Sequence, residues 1–457
     1  MGWKEQIAGD AGIRYRKFTV RTTPAQTLVI GVAAVILAGA VLLTLPVAVQ
    51  PGREINFLTS LFTATSAVCV TGLVVVDTGT HWTLFGHIVI LSLIQVGGLG
   101  FMTMATFLFL LLGRRIGLRQ RLIIQESLNQ TNLAGIVRLA RYVLIFTFVT
   151  EAVFAIILAI RWSADLGWRK GLWFGLFHSV SAFNNAGFDL FGGFKSLTAY
   201  AGDATVTLSI TTLIILGGIG FGVIVDLVRR LKETRHLSLH AKLVLSVTGI
   251  LILFGTVSIY LLEYDNTLRN LSPLGKVLAS YFQAVTPRTA GYNTLDIGAL
   301  HSATQFLIIV LMFIGASPGS TGGGIKTTTF SALAVSVWSM IRGKEDAEVF
   351  RRRIAKDQVF RALAIFFMAS ALVIVVSLLL SITENADFLA LLFETTSAFG
   401  TVGLTMGITP GLTPPGRVLI IATMFLGRVG PLTLAFALSR ARAKPHLRFP
   451  EEKILIG

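Results

Sequence analysis

The chain has 457 residues, 53% hydrophobic and 14% charged, with a mean hydropathy of +0.75 and a formal net charge of +16. A soluble domain carries about a quarter charged residues, so a soluble fold is excluded, and with it the nucleic-acid partner that so basic a soluble chain would suggest. The single cysteine, Cys69, excludes an intramolecular disulfide and a thiolate metal cluster.

In chain order, apolar runs long enough to cross a bilayer, which takes about 20 residues as helix, are read at 27–45, 82–112, 142–160, 205–228, 243–262, 305–315, 360–382 and 418–438. The first run is longer than a signal-peptide core and is followed by no small-residue cleavage site, so it is expected to stay. Basic residues gather in alternate connections, at 4–21, 114–141, 229–242, 342–361 and 440–453. The positive-inside rule therefore puts both termini in the cytoplasm of a multi-pass cell-membrane protein.

Between the two spans of each pair lies a shorter apolar segment, at 57–68, 171–183, 275–285 and 388–399, too short to cross. Each is followed by a small-residue step ending in glycine: Val70, Thr71, Gly72; Asn185, Ala186, Gly187; Thr289, Ala290, Gly291; and Thr401, Val402, Gly403. The glycines are 115, 104 and 112 residues apart, the mark of one unit used four times. The expected fold is all-α: eight transmembrane helices plus four pore half-helices, four repeats around one pseudo-fourfold pore. The repeats are drawn at 25–113, 114–230, 231–342 and 343–442, flanked by cytoplasmic segments 1–24 and 443–457.

Non-helical backbone at membrane depth is tolerated only inside protein or beside water. Four such loops argue for a central pathway, in which backbone carbonyls replace an ion's hydration shell. Glycine supplies the positive φ and close approach this needs. No carboxylate lies in the four steps, so the site suits potassium at the four glycines better than calcium or magnesium, which take hard anionic oxygens. Small-residue packing explains any one loop equally well, but not four in register.

The second spans carry further glycines. Residues 95–101 and 215–221 match closely, and 425–431 is a divergent copy. Close packing and bending are both open there. In the third unit the span is interrupted by Gly315, Ala316, Ser317, Pro318, Gly319, Ser320, Thr321, Gly322, Gly323 and Gly324, with Lys326 just beyond. A phosphate loop is ruled out because Ile325 separates Gly324 from Lys326. The expectation is a flexible loop below the filter that obstructs the pathway.

Arg428 lies deep in an apolar span, where a charge is costly and faces the interior or water. It either bars cations or is neutralised by a structural carboxylate. Glu151 is the intramembrane acid that needs a partner. Asp77, Asp189 and Asp296 follow filter glycines and either concentrate cations at the outer mouth or are solvated loop acids. Arg288, with Pro287, is expected to hold loop geometry. The seven histidines form no H-E-x-x-H and no cluster, so catalysis has no support and the chain is read as no enzyme.

These four glycine steps and the glycine-bearing second spans resemble the Trk/Ktr/HKT potassium transporter superfamily over nearly the whole chain. The likeness is greatest to the membrane subunit of its Ktr branch, since the extra amino-terminal span pair of the TrkH branch is missing. The resemblance implies the same loop gate at Gly315–Gly324 and an arginine at position 428. With glycine rather than serine at Gly72, it also implies potassium selectivity. It further implies a homodimer, seated on a cytosolic nucleotide-binding ring of the KtrA kind, and sodium as an activator. No nucleotide is bound by the chain itself, and the other partners are membrane lipids. The alternative is a sodium-coupled or sodium-permeable secondary cation transporter. Such carriers usually show two inverted repeats, whereas the four units here share one orientation.

Overall fold

The computed structural model describes residues 23–100, 103, 122, 125, 136–233, 236–430 and 452. The basic clusters at 4–21 and 440–453, most of that at 114–141, and the ends of the runs beyond 100 and 430 lie outside the described residues.

Four long helices, α1 (Pro24–Thr44), α5 (Ile136–Leu166), α9 (Leu239–Glu263) and α13 (Lys356–Thr383), are each followed by a short one. The short helices are α2 (Phe57–Val68), α6 (Trp168–Phe183), α10 (Pro273–Val285) and α14 (Phe388–Gly400). Beyond each comes a glycine-bearing loop and a further helix: α4 (Leu84–Leu99), after the single turn α3 (Thr78–His81), then α7 (Ala204–Gly218), α11 (Ser302–Phe313) and α15 (Pro414–Val429). Side chains set the starts: Thr23, Asn56, Thr83, Asp203, Ser238, Ser272 and Thr413 each accept a first-turn N–H.

The expected second spans are not single helices. The run 205–228 divides into α7 and α8 (Phe221–Glu233), bent by 97°. The run at 305–315 ends at Phe313, and its continuation α12 (Thr327–Ile341) begins only after the glycine-rich loop. The helices α4 and α15 stop at Gly100 and Gly430. The cause is one residue: Gly100, Gly220 and Gly430 have φ of 79°, 91° and 86°, a left-handed conformation that ends a right-handed helix. Among the described residues only α1, α5, α9 and α13 are long and apolar enough to cross a membrane alone, or five spans if the bent pair counts as one. The short hairpin β1 (Glu348–Val349) and β2 (Arg352–Arg353) joins α12 to α13.

Burial runs opposite to that of a soluble protein. Large apolar side chains such as Ile160, Leu253, Leu261, Phe360 and Ile382 are exposed on the long helices, while the short helices bury polar ones. Ser60, Thr63, Thr65 and Ser66 of α2, Ser179 and Ser181 of α6, Ser280 and Gln283 of α10, and Glu394 to Ser397 of α14 are all buried. Such a chain turns apolar surface to lipid and polar groups inward. An acid ties α9 to α11, and another ties α13 to α15. Glu263 accepts from His301 N (2.9 Å) and Thr304 Oγ1 (2.6 Å), and Glu384 from Thr413 N (3.0 Å) and Oγ1 (2.5 Å). Each places negative charge at a helix N-terminus.

Candidate functional site: a ring of four glycine steps

Each short helix ends in a closing backbone bond, which spans five residues in three segments and four in the third. Thr71 N donates to Ser66 O (2.9 Å), Ala186 N to Ser181 O (2.8 Å), Ala290 N to Thr286 O (3.0 Å) and Val402 N to Ser397 O (2.8 Å). Val70, Asn185, Thr289 and Thr401 then take φ of 47°, 58°, 72° and 50°, and the glycines two residues on take 64°, 70°, 82° and 96°. Left-handed backbone at a non-glycine residue is strained, and here it recurs at one position in all four segments.

The segments meet in cyclic order. A Cβ added to Gly72 would lie 2.7 Å from Ala186 O, on Gly187 2.6 Å from Ala290 O, and on Gly291 2.5 Å from Val402 O; on Gly403 it would overlap Thr71 O. The carbonyls of Thr71, Ala186, Ala290 and Val402 therefore stand around one centre, each against the glycine of the preceding segment, with no room for a side chain. The C-terminal ends of α2, α6, α10 and α14 adjoin the ring. Each such end carries about half a negative charge, so the electrostatics of the centre favour a cation.

The glycine-rich loop lies against this ring. Gly322 packs on Thr289, Gly323 on Thr401 and Gly324 on Gly400, too closely for any Cβ at Gly322 or Gly323. Ser317 N and Thr321 N donate to Gly218 O (3.0 Å) and Gly217 O (3.1 Å), and Phe221 N to Gly319 O (2.9 Å), so the loop is hydrogen-bonded to the break between α7 and α8. Pro318 O faces Gly220 there. The loop closes on itself through Gly315 N to Ile325 O (2.8 Å), Ala316 N to Gly323 O (3.3 Å) and Ser320 Oγ to Ser317 O (2.6 Å). Lys326 Nζ donates to Gly322 O at 2.7 Å.

Arg428 finds carbonyls rather than a carboxylate. Its guanidinium donates to Thr321 O in the loop, and to Gly97 O and, at 3.4 Å, Gly98 O at the end of α4. A cation at a helix C-terminus is favourable, and the contact joins the third and fourth units to the first.

Glu151 is bonded by amides. Its carboxylate accepts from Gln95 Nε2 (3.2 Å) and Asn184 Nδ2 (3.0 Å), and Asn184 Nδ2 also reaches Gln95 Oε1 (2.9 Å). Asn184 caps α6 directly before the second glycine step.

The three acids that follow the glycine steps hold backbone. Asp77 accepts from Thr80 N (2.9 Å) and Phe194 N (3.0 Å), Asp296 from Gly298 N (3.0 Å) and Asp189 from Phe191 N (3.1 Å). Burial pushes the Asp189 carboxyl up to about 7, and the nearby Asp77 charge adds to the rise.

Sequence reasoning passed over the groups behind the ring. Glu394 of α14 accepts from Thr405 Oγ1 (2.7 Å) and Thr409 Oγ1 (2.5 Å), and His178 of α6 accepts from Leu190 N (3.3 Å), so each ties its short helix to the loop leaving the ring. A titratable residue nine positions before the glycine, in a half-helix otherwise made of apolar and small hydroxyl side chains at that depth, was the available signal.

Known proteins match nearly the whole chain. The family described as TrkH, cation transport protein, matches residues 14–446. The chain is 46% identical to the Ktr system potassium uptake protein B of Bacillus subtilis over 96% of this chain and 98% of that protein. It is 39% identical to the potassium/sodium uptake protein NtpJ of Enterococcus hirae, over 97% and 100%. Its fold is similar to the crystal structure of the potassium transporter TrkH from Vibrio parahaemolyticus, with a TM-score of 0.72 at 18% identity over 93% of this chain and 87% of that one. The chain belongs to the TrkH family of cation transport proteins.

Proposed function

We propose that the chain takes up potassium across the cell membrane through the ring of glycine steps, which acts as a carbonyl selectivity filter. The observation that carries the reading is the closed cyclic contact of the Thr71, Ala186, Ala290 and Val402 carbonyls with four left-handed glycines. Oxygen ligands around one centre replace the water an ion sheds. The filter comprises residues 70–72, 185–187, 289–291 and 401–403, in four repeats about a pseudo-fourfold axis. The bent and interrupted second helices count as four spans, so that eight cross in all.

The loop from Gly315 to Gly324, with Lys326, is the gate, and Arg428 is the cationic barrier that latches it. Support comes from the packing of Gly322 and Gly323 on the filter residues Thr289 and Thr401, and from the bond between Arg428 and Thr321. Both termini face the cytoplasm. The basic side chains near the start of α9 and α13 and the end of α12 suit an acidic cytosolic ring or anionic lipid. The assembly we favour is a homodimer on a nucleotide-binding ring, as family membership implies.

A second reading, sodium permeation or sodium activation, is favoured by the name of the Enterococcus relative alone. Liposome flux separates the two. Purified protein should take up potassium well ahead of sodium, and Gly72→Ser should narrow the difference. Equal uptake of both ions, unchanged by the substitution, would remove the filter assignment.

A further inference from the structure

One residue beyond each glycine of the ring, the four backbone carbonyls are held unequally. Phe188 O accepts from two hydroxyls, Ser181 Oγ at 2.9 Å and Tyr292 Oη at 3.0 Å. A carbonyl has two lone pairs, so neither is left for an ion. Tyr292 O accepts from Thr286 Oγ1 at 2.5 Å. Among the described residues no donor reaches the carbonyls of Leu73 or Leu404. Where the second segment has Ser181, six residues before its glycine, the first has Ser66, whose buried hydroxyl bonds nothing. In the fourth, Ser397 Oγ instead accepts from Gly403 N (3.0 Å).

The Tyr292 bond differs from the others in crossing between segments. Ser181, Thr286 and Ser397 each bond within their own repeat, whereas the phenol of the third segment reaches the second. That phenol is fully buried, and its ring lies 6.3 Å from the ring of His178, which accepts from Leu190 N just beyond Phe188. Gly187 has φ of 70° and, lacking a Cβ, has other conformations open to it. Turning the backbone at Phe188 would carry the Gly187 carbonyl with it and let the ring contract. Two hydroxyls on Phe188 O oppose that turn.

We propose that Tyr292 is a positioning residue for ion specificity. Its hydroxyl, together with that of Ser181, fixes the second quarter of the ring at the width that potassium fills and the smaller sodium ion does not. The proposal rests on the reading of the ring as a potassium filter. Neither residue touches the ion; each acts through Phe188 O. Because the two donors share one acceptor, either alone keeps that carbonyl in place, and loss of both frees it.

Liposome uptake by the full chain, with half-saturation and maximal rate measured separately for potassium and for sodium, tests this. Tyr292→Phe and Ser181→Ala should each lower the preference for potassium about twofold, and the double variant about 30-fold. The loss should come from tighter half-saturation by sodium rather than from a slower maximal potassium rate. A double variant whose loss stays within the product of the singles, about fourfold, overturns the proposal. So does a lowered melting temperature with both half-saturation values unmoved, the mark of a tie that only stabilises the fold. Equal uptake of the two ions by the unaltered protein would remove the filter reading and this proposal together. A potassium preference that survives in the double variant removes this proposal alone. If the double variant does not fold, the twofold shift in Tyr292→Phe decides, and its absence overturns the proposal.

Discussion

Behind the second quarter of the ring, Asn184, Gln95 and Glu151 form one mutually bonded cluster; behind the third, Arg288, Ile215 and Thr248 occupy the corresponding places and none bonds another. One quarter backs its glycine with a carboxylate, the next with a guanidinium. Yet Asn185 and Thr289 share the same left-handed backbone, and Gly187 and Gly291 approach the next carbonyl at nearly the same distance. The ring is therefore specified by backbone conformation and the closing bond from each short helix, while the side chains behind it differ in charge. In the segments leaving the ring the contrast continues, with Asp189 two residues after Gly187 and Asn293 two after Gly291.

The largest effects should be blind to that contrast. Alanine at either Gly187 or Gly291 puts a methyl 2.6 Å or 2.5 Å from a neighbouring carbonyl at positive φ. Both variants should lose potassium uptake by about 100-fold or more, the equal of about 3 kcal/mol in the barrier. A variant that transports normally would show that its quarter does not shape the path. Next in size, shortening the loop by residues 319–322, which lean on Thr289 of the third quarter and on Gly217 and Phe221, should raise flux about tenfold. Unchanged or lower flux from a folded, inserted protein would refute the gate.

Smaller effects should separate the quarters. Glu151→Ala strands the buried Gln95 amide, while Asn184 keeps Gln95 Oε1 and Val180 O, and should cost about 1–3 kcal/mol in detergent unfolding, whereas Thr248→Val removes an already unpartnered hydroxyl and should stay within about 0.5 kcal/mol. Equal costs would erase the distinction. The least effect concerns pH. With its carboxyl raised to about 7, Asp189 is ionised only above that value, so half-saturation for potassium should weaken about twofold as external pH falls through 7. Because the folded state holds that proton more tightly than the unfolded chain, Asp189 should also lower stability as pH rises from about 4 to 7. Asp189→Asn should flatten both profiles; a persisting pH dependence would place the titrating group elsewhere.

Much of the ring was legible in the chain because its determinants are local. A short apolar helix, a small-residue step and a glycine lie within about 16 residues, and four copies reinforce one another. The starts of α2, α6, α10 and α14 fell within three residues of expectation for the same reason. The interruption at 315–324 was legible in its glycines, but the run 205–228 was read as one span because hydropathy does not register the sign of φ: Gly220 sits in an apolar run, and only the backbone reveals the 97° bend. The partners of Glu151 and Arg428 were hidden by distance along the chain, since Gln95 is 56 residues from Glu151 and Gly97 is 331 from Arg428. Arg428 was weighed against a carboxylate, but helix-end carbonyls carry no signature in sequence.

The central claim is that one cation rests inside four backbone carbonyls. Crystals grown in rubidium, measured at its absorption edge, test it most directly. The account predicts an anomalous peak enclosed by the carbonyls of Thr71, Ala186, Ala290 and Val402. A ring empty of rubidium, with the ion bound elsewhere between the helices, would contradict it.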